Sequence, residues 1–220
     1  MSASHSEKVT CPACHHHQEF TVWDFMDVTD EPERKQQVLT GALMRMTCTQ
    51  CATETDVIHP LLYHDTEFRL LLWLIPGDGL PGDHEHKIEE IDATLAATHQ
   101  FRLARTANEL KEKIVIAEAG LDDRVVELFK AVIRKDPETE IQAGDRVLFA
   151  GLEREDEENV LVFAVLRGKD RFEFPVQFEV FAQFADQAEA MAESLFSDGG
   201  PWLTVDEATT AARIRERNLE

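Results

Sequence analysis

Apolar positions along the chain change their period several times, and each change marks a new element. The run Phe20-Thr21-Val22-Trp23-Asp24-Phe25, following Glu19, is rich in β-formers and predicts a strand. Asp30 to Gln37 is charged and favours a helix, which Glu31-Pro32 opens because proline suits the first helical position. Gly41 punctuates it, and Leu43–Thr47 and Thr53–Ile58 read as two further strands. Phe68 to Ile75 is apolar except for Arg69, the pattern of a strand buried on both faces. A loop follows, Pro76-Gly77-Asp78-Gly79-Leu80-Pro81-Gly82-Asp83. Ile88, Ile91 and Leu95 then predict a helix over roughly 84–98, and Phe101–Arg105 a short strand.

In the second half Leu110, Ile114 and Ala117 share a helical face that Gly120 ends. Val125, Leu128, Phe129, Val132 and Ile133 recur at i, i+3, i+4, i+7 and i+8, a full amphipathic stripe. Asp122 and Asp123 match the positive end of its dipole, Arg134 and Lys135 the negative end, and Asp136-Pro137 stops it. Beyond Pro137 the period becomes two. Val147–Leu152 and Val160–Leu166 flank the acidic run Glu153-Arg154-Glu155-Asp156-Glu157-Glu158, which predicts a solvated hairpin loop. Phe172, Phe174, Val176, Phe178 and Val180 alternate as a one-face-buried strand, and the outward Pro175 makes it an edge. Ala188, Met191, Ala192, Leu195 and Phe196 form another helical stripe. Thr204-Val205-Asp206-Glu207 reads as a capping box opening a terminal helix.

Four cysteines, all among the first 51 residues, change the picture most. They form two C-x-x-C pairs, Cys11-Pro12-Ala13-Cys14 and Cys48-Thr49-Gln50-Cys51, separated by 33 residues. Such a turn points two thiolates the same way, about 3.5–4 Å apart, and two turns complete a tetrahedral four-sulfur metal site. Two disulfides would need an oxidising compartment. A thioredoxin-type pair would open a helix, whereas strand-like sequence follows Cys11 and the second pair would be surplus. Iron in a rubredoxin-like site shares the ligand pattern, so spacing favours one structural zinc without excluding iron. His15-His16-His17 directly follow the first turn, where glycine is usual because the backbone needs an unusual angle. They read as an exposed polar turn, with a replacement ligand or a weak second metal as the alternative.

The fold class expected is therefore α+β. Zinc-ribbon-like β hairpins at the N-terminus lead to packed helices, then an antiparallel β segment and C-terminal helices. Residues 1–137 form one region and 138–220 a second, packed on the first, because apolar faces on both sides of Pro137 need cover.

Charge narrows the function. Against 22 Lys and Arg stand 43 Asp and Glu among 220 residues, a formal net charge of −21. Such a chain repels phosphate backbones and anionic membranes, so no nucleic-acid or membrane partner is expected. No basic segment and apolar run open the sequence, and no apolar stretch is long enough to span a bilayer, which points to the cytoplasm.

The arrangement resembles the CpXC-domain family, largely uncharacterised bacterial and archaeal proteins with two C-P-x-C-like pairs presumed to bind metal. The resemblance extends to Pro60-Leu61-Leu62-Tyr63-His64-Asp65, to Ile75-Pro76, to Leu110-Lys111-Glu112-Lys113-Ile114, and to Gly120-Leu121-Asp122-Asp123-Arg124-Val125-Val126-Glu127-Leu128. It covers roughly residues 8–135. Thr49 stands where the family's second pair has proline, which is not a ligand.

A closed four-cysteine site leaves no coordination position for a substrate, and the sequence carries no G-x-S-x-G, phosphate-binding glycine loop or H-E-x-x-H. Two clusters remain, Tyr63-His64-Asp65 and Asp83-His84-Glu85-His86. On a strand His64 and Asp65 face opposite ways, and on a helix His84 and His86 share no face. The sequence thus favours a non-catalytic intracellular zinc protein that binds another protein, the expected partner having a basic surface that meets Glu155, Asp156, Glu157 and Glu158. The alternative is a metal-dependent, hydrolase-like enzyme with a second metal near His64, with Asp65, or near His84 and His86.

Overall fold

A computed structural model of the chain describes residues 2–29, 31–77, 93–155, 158–197 and 202–217. The chain divides into two compact units, Met1–Lys111 and Glu112–Glu220, so the turn at Asp136-Pro137 lies inside the second. Among the described residues no helix is long and apolar enough to cross a membrane.

In the first unit β1 (Ala3–Thr10) and β2 (His17–Asp27) form an antiparallel hairpin. Helix α1 (Pro32–Thr40) starts at Glu31-Pro32 as expected and stops at Gly41, whose φ of 77° suits glycine. A small second hairpin joins β3 (Arg45–Thr47) to β4 (Glu54–Asp56). The main sheet runs β1-β2-β5-β6-β7, with β5 at Leu61–Asp65, β6 at Leu70–Leu74 and β7 at Gln100–Ala104. β2 runs parallel to β5, β5 antiparallel to β6, and β6 parallel to β7. All five residues of β6 are buried, as an unbroken apolar run demands. Of the helix expected over 84–98 only α2 (Ala93–Thr98) falls within the described residues.

Strand β1 went unread in the sequence. Its residues are exposed almost throughout, so Ser4-His5-Ser6-Glu7-Lys8 carries no apolar alternation and only pairing with β2 makes it a strand.

The second unit has its own core. Helix α3 (Ala107–Glu118) carries the boundary between units, and α4 (Asp123–Ile133) follows, with the Asp122 carboxylate accepting from the Arg124 N–H as its cap. The strands β8 (Arg146–Glu155), β9 (Glu158–Arg167) and β10 (Asp170–Gln177) form an antiparallel sheet in the order β10-β9-β8. Phe129 of α4 packs against Phe163 of β9 and against Phe181 and Phe184 of α5 (Phe178–Leu195). The amphipathic helix α4 thus shares one core with the C-terminal strands, inside one unit. Pro175 sits exposed on the edge strand β10, as its missing N–H requires.

Two readings need correction. The strand expected through Val180 ends at Gln177, and Phe178 begins α5. Phe178 also falls at i, i+3 with the buried Phe181, and the exposed Val180 shows that the period of two had already ended. The terminal helix α6 (Glu207–Glu216) is capped by Asp206, which accepts from the Thr209 N–H at 2.7 Å, not by Thr204, which lies in the short strand β11 (Leu203–Thr204).

One ion pair in this unit sets an acid limit. Asp145 accepts from Arg167 at 2.7 and 3.0 Å and from the Gln142 N–H at 2.8 Å. The Arg167 guanidinium holds the Asp145 carboxyl down at about 2. That lies below the roughly 3.9 of a free aspartate, so the stabilisation is complete above that value and fades as pH falls towards 2. Asp145→Asn should accordingly lose less stability than the parent between about pH 4 and pH 2, read from acid-unfolding midpoints.

Candidate metal centre

Each C-x-x-C pair sits at the tip of a hairpin, Cys11–Cys14 between β1 and β2 and Cys48–Cys51 between β3 and β4. The two turns have the same backbone plan. His15 N–H donates to Cys11 O and Ala52 N–H to Cys48 O, both at 2.9 Å. Cys11 N–H reaches His16 O at 2.8 Å and Cys48 N–H reaches Thr53 O at 2.9 Å, closing each turn. The residue after each pair is left-handed, His15 at φ 58° and Ala52 at φ 59°. That is the angle for which the sequence leads one to expect glycine, and holding a residue with a Cβ there costs about 1–2 kcal/mol. Something must compensate this strain at both turns.

All four cysteines are free thiols, and their sulfurs lie within 4.8 Å of one another. Cys11 Sγ stands 3.7 Å from Cys51 Sγ, and Cys14 Sγ 3.6 Å from Cys48 Sγ. A tetrahedral ion with bonds of about 2.3 Å to sulfur needs edges of about 3.8 Å, so the four are placed to bind a metal ion. Cys11 and Cys48 are buried, whereas Cys51 is exposed. The thiols do not titrate alike. Hydrogen bonding with Thr53 draws Cys51 down to about 6. At Cys14 a backbone hydrogen bond with His16 lowers the thiol, but Cys51, burial and the other thiols prevail and push it up to about 12. A divalent cation resolves this conflict by ionising all four at once.

The second hairpin is fastened to the first by a residue that sequence reasoning missed. The Gln18 amide donates to Thr47 O at 3.1 Å, and its carbonyl accepts from the Thr49 N–H at 2.9 Å and the Thr49 hydroxyl at 3.3 Å. This contact explains the threonine at 49, because a proline there has no N–H to give. Among the described residues none of His15, His16 and His17 joins the sulfur cluster, and His17 contacts Thr10 instead.

The other candidates separate as strand geometry dictates. Asp65 is buried on one face of β5, in an ion pair with Lys35 at 2.8 Å and accepting from the Tyr63 hydroxyl at 3.1 Å. His64 points the opposite way, towards Asp27 at 3.6 Å and His99 at 3.3 Å. The two therefore do not make one site. His84 and His86 lie outside the described residues, as do Asp156 and Glu157, while Glu155 and Glu158 pair across the β8–β9 hairpin.

A second polar cluster, also unread in the sequence, lies in the second unit. Lys130 on α4 bridges Glu112 and Glu127, both at 2.9 Å, and Lys113 bridges Asp123 at 3.2 Å and Glu127 at 3.4 Å. Glu112 Oε1 also accepts the Phe149 N–H at 2.7 Å, tying β8 to α3. All five charged groups are buried. Burial pushes Glu127 upward, only partly offset by the lysines. For Lys130 burial favours the neutral amine, but Glu112 and Glu127 prevail and hold it charged.

Residues 9–130 match the model of one protein family, described as CpXC protein. No curated protein and no solved structure matches the chain. The match takes in both cysteine pairs, β5 and β6, helix α3, and α4 as far as Lys130, with their buried charges.

Proposed function

This chain belongs to the CpXC family, and from that premise we propose that it is a non-catalytic, zinc-stapled protein-interaction module with an acidic surface. The observation that carries the reading is the closed sulfur set. Four cysteines saturate a tetrahedral ion, leave it no open position, and so give it a structural task. Both zinc and iron take four thiolates in this geometry, and zinc is the ion of this reading because a structural site needs no redox chemistry.

A net charge of −21 supports a protein partner with a basic surface over nucleic acid. The acidic run Glu155-Asp156-Glu157-Glu158 is the contact region of this reading. Such binding is steered electrostatically, so association slows as the Debye length shrinks from about 30 Å at 0.01 M salt to about 8 Å at 0.15 M. With a partner in hand, replacing those four residues by glutamine should lower the association rate more than it raises the dissociation rate. An association rate indifferent to both salt and the substitutions would contradict the reading. The alternative of a metal-dependent hydrolase has one observation in its favour, the approach of His64 to His99.

A further inference from the structure

The strand pairing of the first unit brings together two histidines that the sulfur centre does not use. Asp27 at the end of β2 is in register with His64 on β5, His64 with Leu71 on β6, and Leu71 with Phe101 on β7. Residues paired across strands share a face, as do residues two apart. His99 precedes β7 and closes α2, its N–H donating to Leu95 O, and there its Nε2 lies 3.3 Å from that of His64. The ring centroids are 5.2 Å apart.

Each ring turns its other nitrogen to an oxygen. His64 Nδ1 faces Asp27 Oδ2 at 3.6 Å, and His99 Nδ1 lies 2.9 Å from Thr98 Oγ1. The Thr98 hydroxyl also lies 3.4 Å from the Leu95 carbonyl. With both Nδ1 atoms turned to oxygens, the two Nε2 atoms face each other, and nitrogens that close share either a proton or a cation. Two nitrogens bound to one tetrahedral ion at about 2.0–2.1 Å stand about 3.3 Å apart, the spacing seen here. A carboxylate or hydroxyl behind each imidazole is also the usual orienting arrangement for a metal-bound histidine.

We propose that His64 and His99 form a second metal site, an open two-imidazole site for a first-row divalent ion such as Zn²⁺ or Co²⁺. Asp27 and Thr98 orient the rings, and water completes the shell. The His64 side chain is 16% exposed, so an ion can reach it from solvent. Unlike the sulfur centre, this site keeps exchangeable positions, which a substrate or a partner's side chain can fill.

The test is titration of the protein, its cysteine centre already filled, with Co²⁺. Uptake of one further ion per chain is expected, with visible bands free of sulfur-to-metal charge transfer. His64→Ala and His99→Ala should each abolish that uptake while leaving the cysteine-bound ion in place, and Asp27→Asn should weaken it by about 10–100-fold. No further Co²⁺ uptake by the wild-type chain, including the case in which the pair shares only a proton, overturns the proposal. Uptake that survives the His64→Ala, His99→Ala double variant overturns it too. A failed sulfur centre would appear separately, as an ion that Cys48→Ser does not release.

Discussion

Replacing Cys48 by serine is expected to release the sulfur-bound ion and disorder both hairpin tips. Structural zinc contributes about 10–16 kcal/mol of apparent binding free energy in small peptides at neutral pH, as much as the whole stability of many domains. A bound ion would also offset the strain at His15 and Ala52, both held at positive φ. Loss of one ligand leaves three thiols crowded within 4.8 Å of one another with no cation to ionise them. Hydrogen exchange should rise over Cys11–Gln18 and Arg45–Asp56. The core of the second unit, built on Phe129, Phe149 and Phe163, draws on none of these residues and should keep its protection. A chelator should reproduce the effect in the wild-type chain. Unchanged metal content and exchange in Cys48→Ser would refute the assignment.

Lys130→Met should lower stability by about 3–5 kcal/mol, because it removes the cation that two buried carboxylates share. Among the described residues Lys113 would then be the one cation facing Glu112, Asp123 and Glu127, and Glu112 would keep the Phe149 N–H as its one partner at hydrogen-bond distance. Burial already pushes Glu127 towards its neutral form, and loss of Lys130 removes the largest opposing influence. Lys135→Met, at an exposed position just beyond α4, should change stability by no more than about 0.5 kcal/mol. Urea unfolding of the two variants makes the comparison, and equal midpoints would mean that the buried network contributes nothing.

What the sequence discloses follows from how local each signal is. The cysteine spacing, the all-apolar β6 and the edge proline at 175 each express a constraint carried by neighbouring residues, and each is found in place, whereas the stripe of α4 is buried except at Val132, which is exposed. Strand β1 exists only through its pairing with β2, so a polar segment gave no local sign of it. His64 was singled out beside Asp65, its neighbour in sequence, yet its spatial neighbours are Asp27 and His99, brought there by the parallel pairings of β2 with β5 and β6 with β7. The Gln18 clamp and the Lys130 network are invisible for the same reason, since each joins residues whose partnership only the tertiary fold creates. Glu127 and Lys130 sit one turn apart opposite the apolar stripe Val125, Leu128, Phe129 and Ile133, on the face that the helical period assigns to solvent, so their burial left no mark in the sequence.

The account rests on four sulfurs around one ion, and X-ray absorption at the metal edge tests that most directly. The sample is the chain with His64 and His99 both replaced by alanine, so that only one centre contributes. The account predicts one zinc per chain with four sulfur neighbours at about 2.3 Å. An ion bound through nitrogen or oxygen, or a chain whose four cysteines carry none, would contradict it.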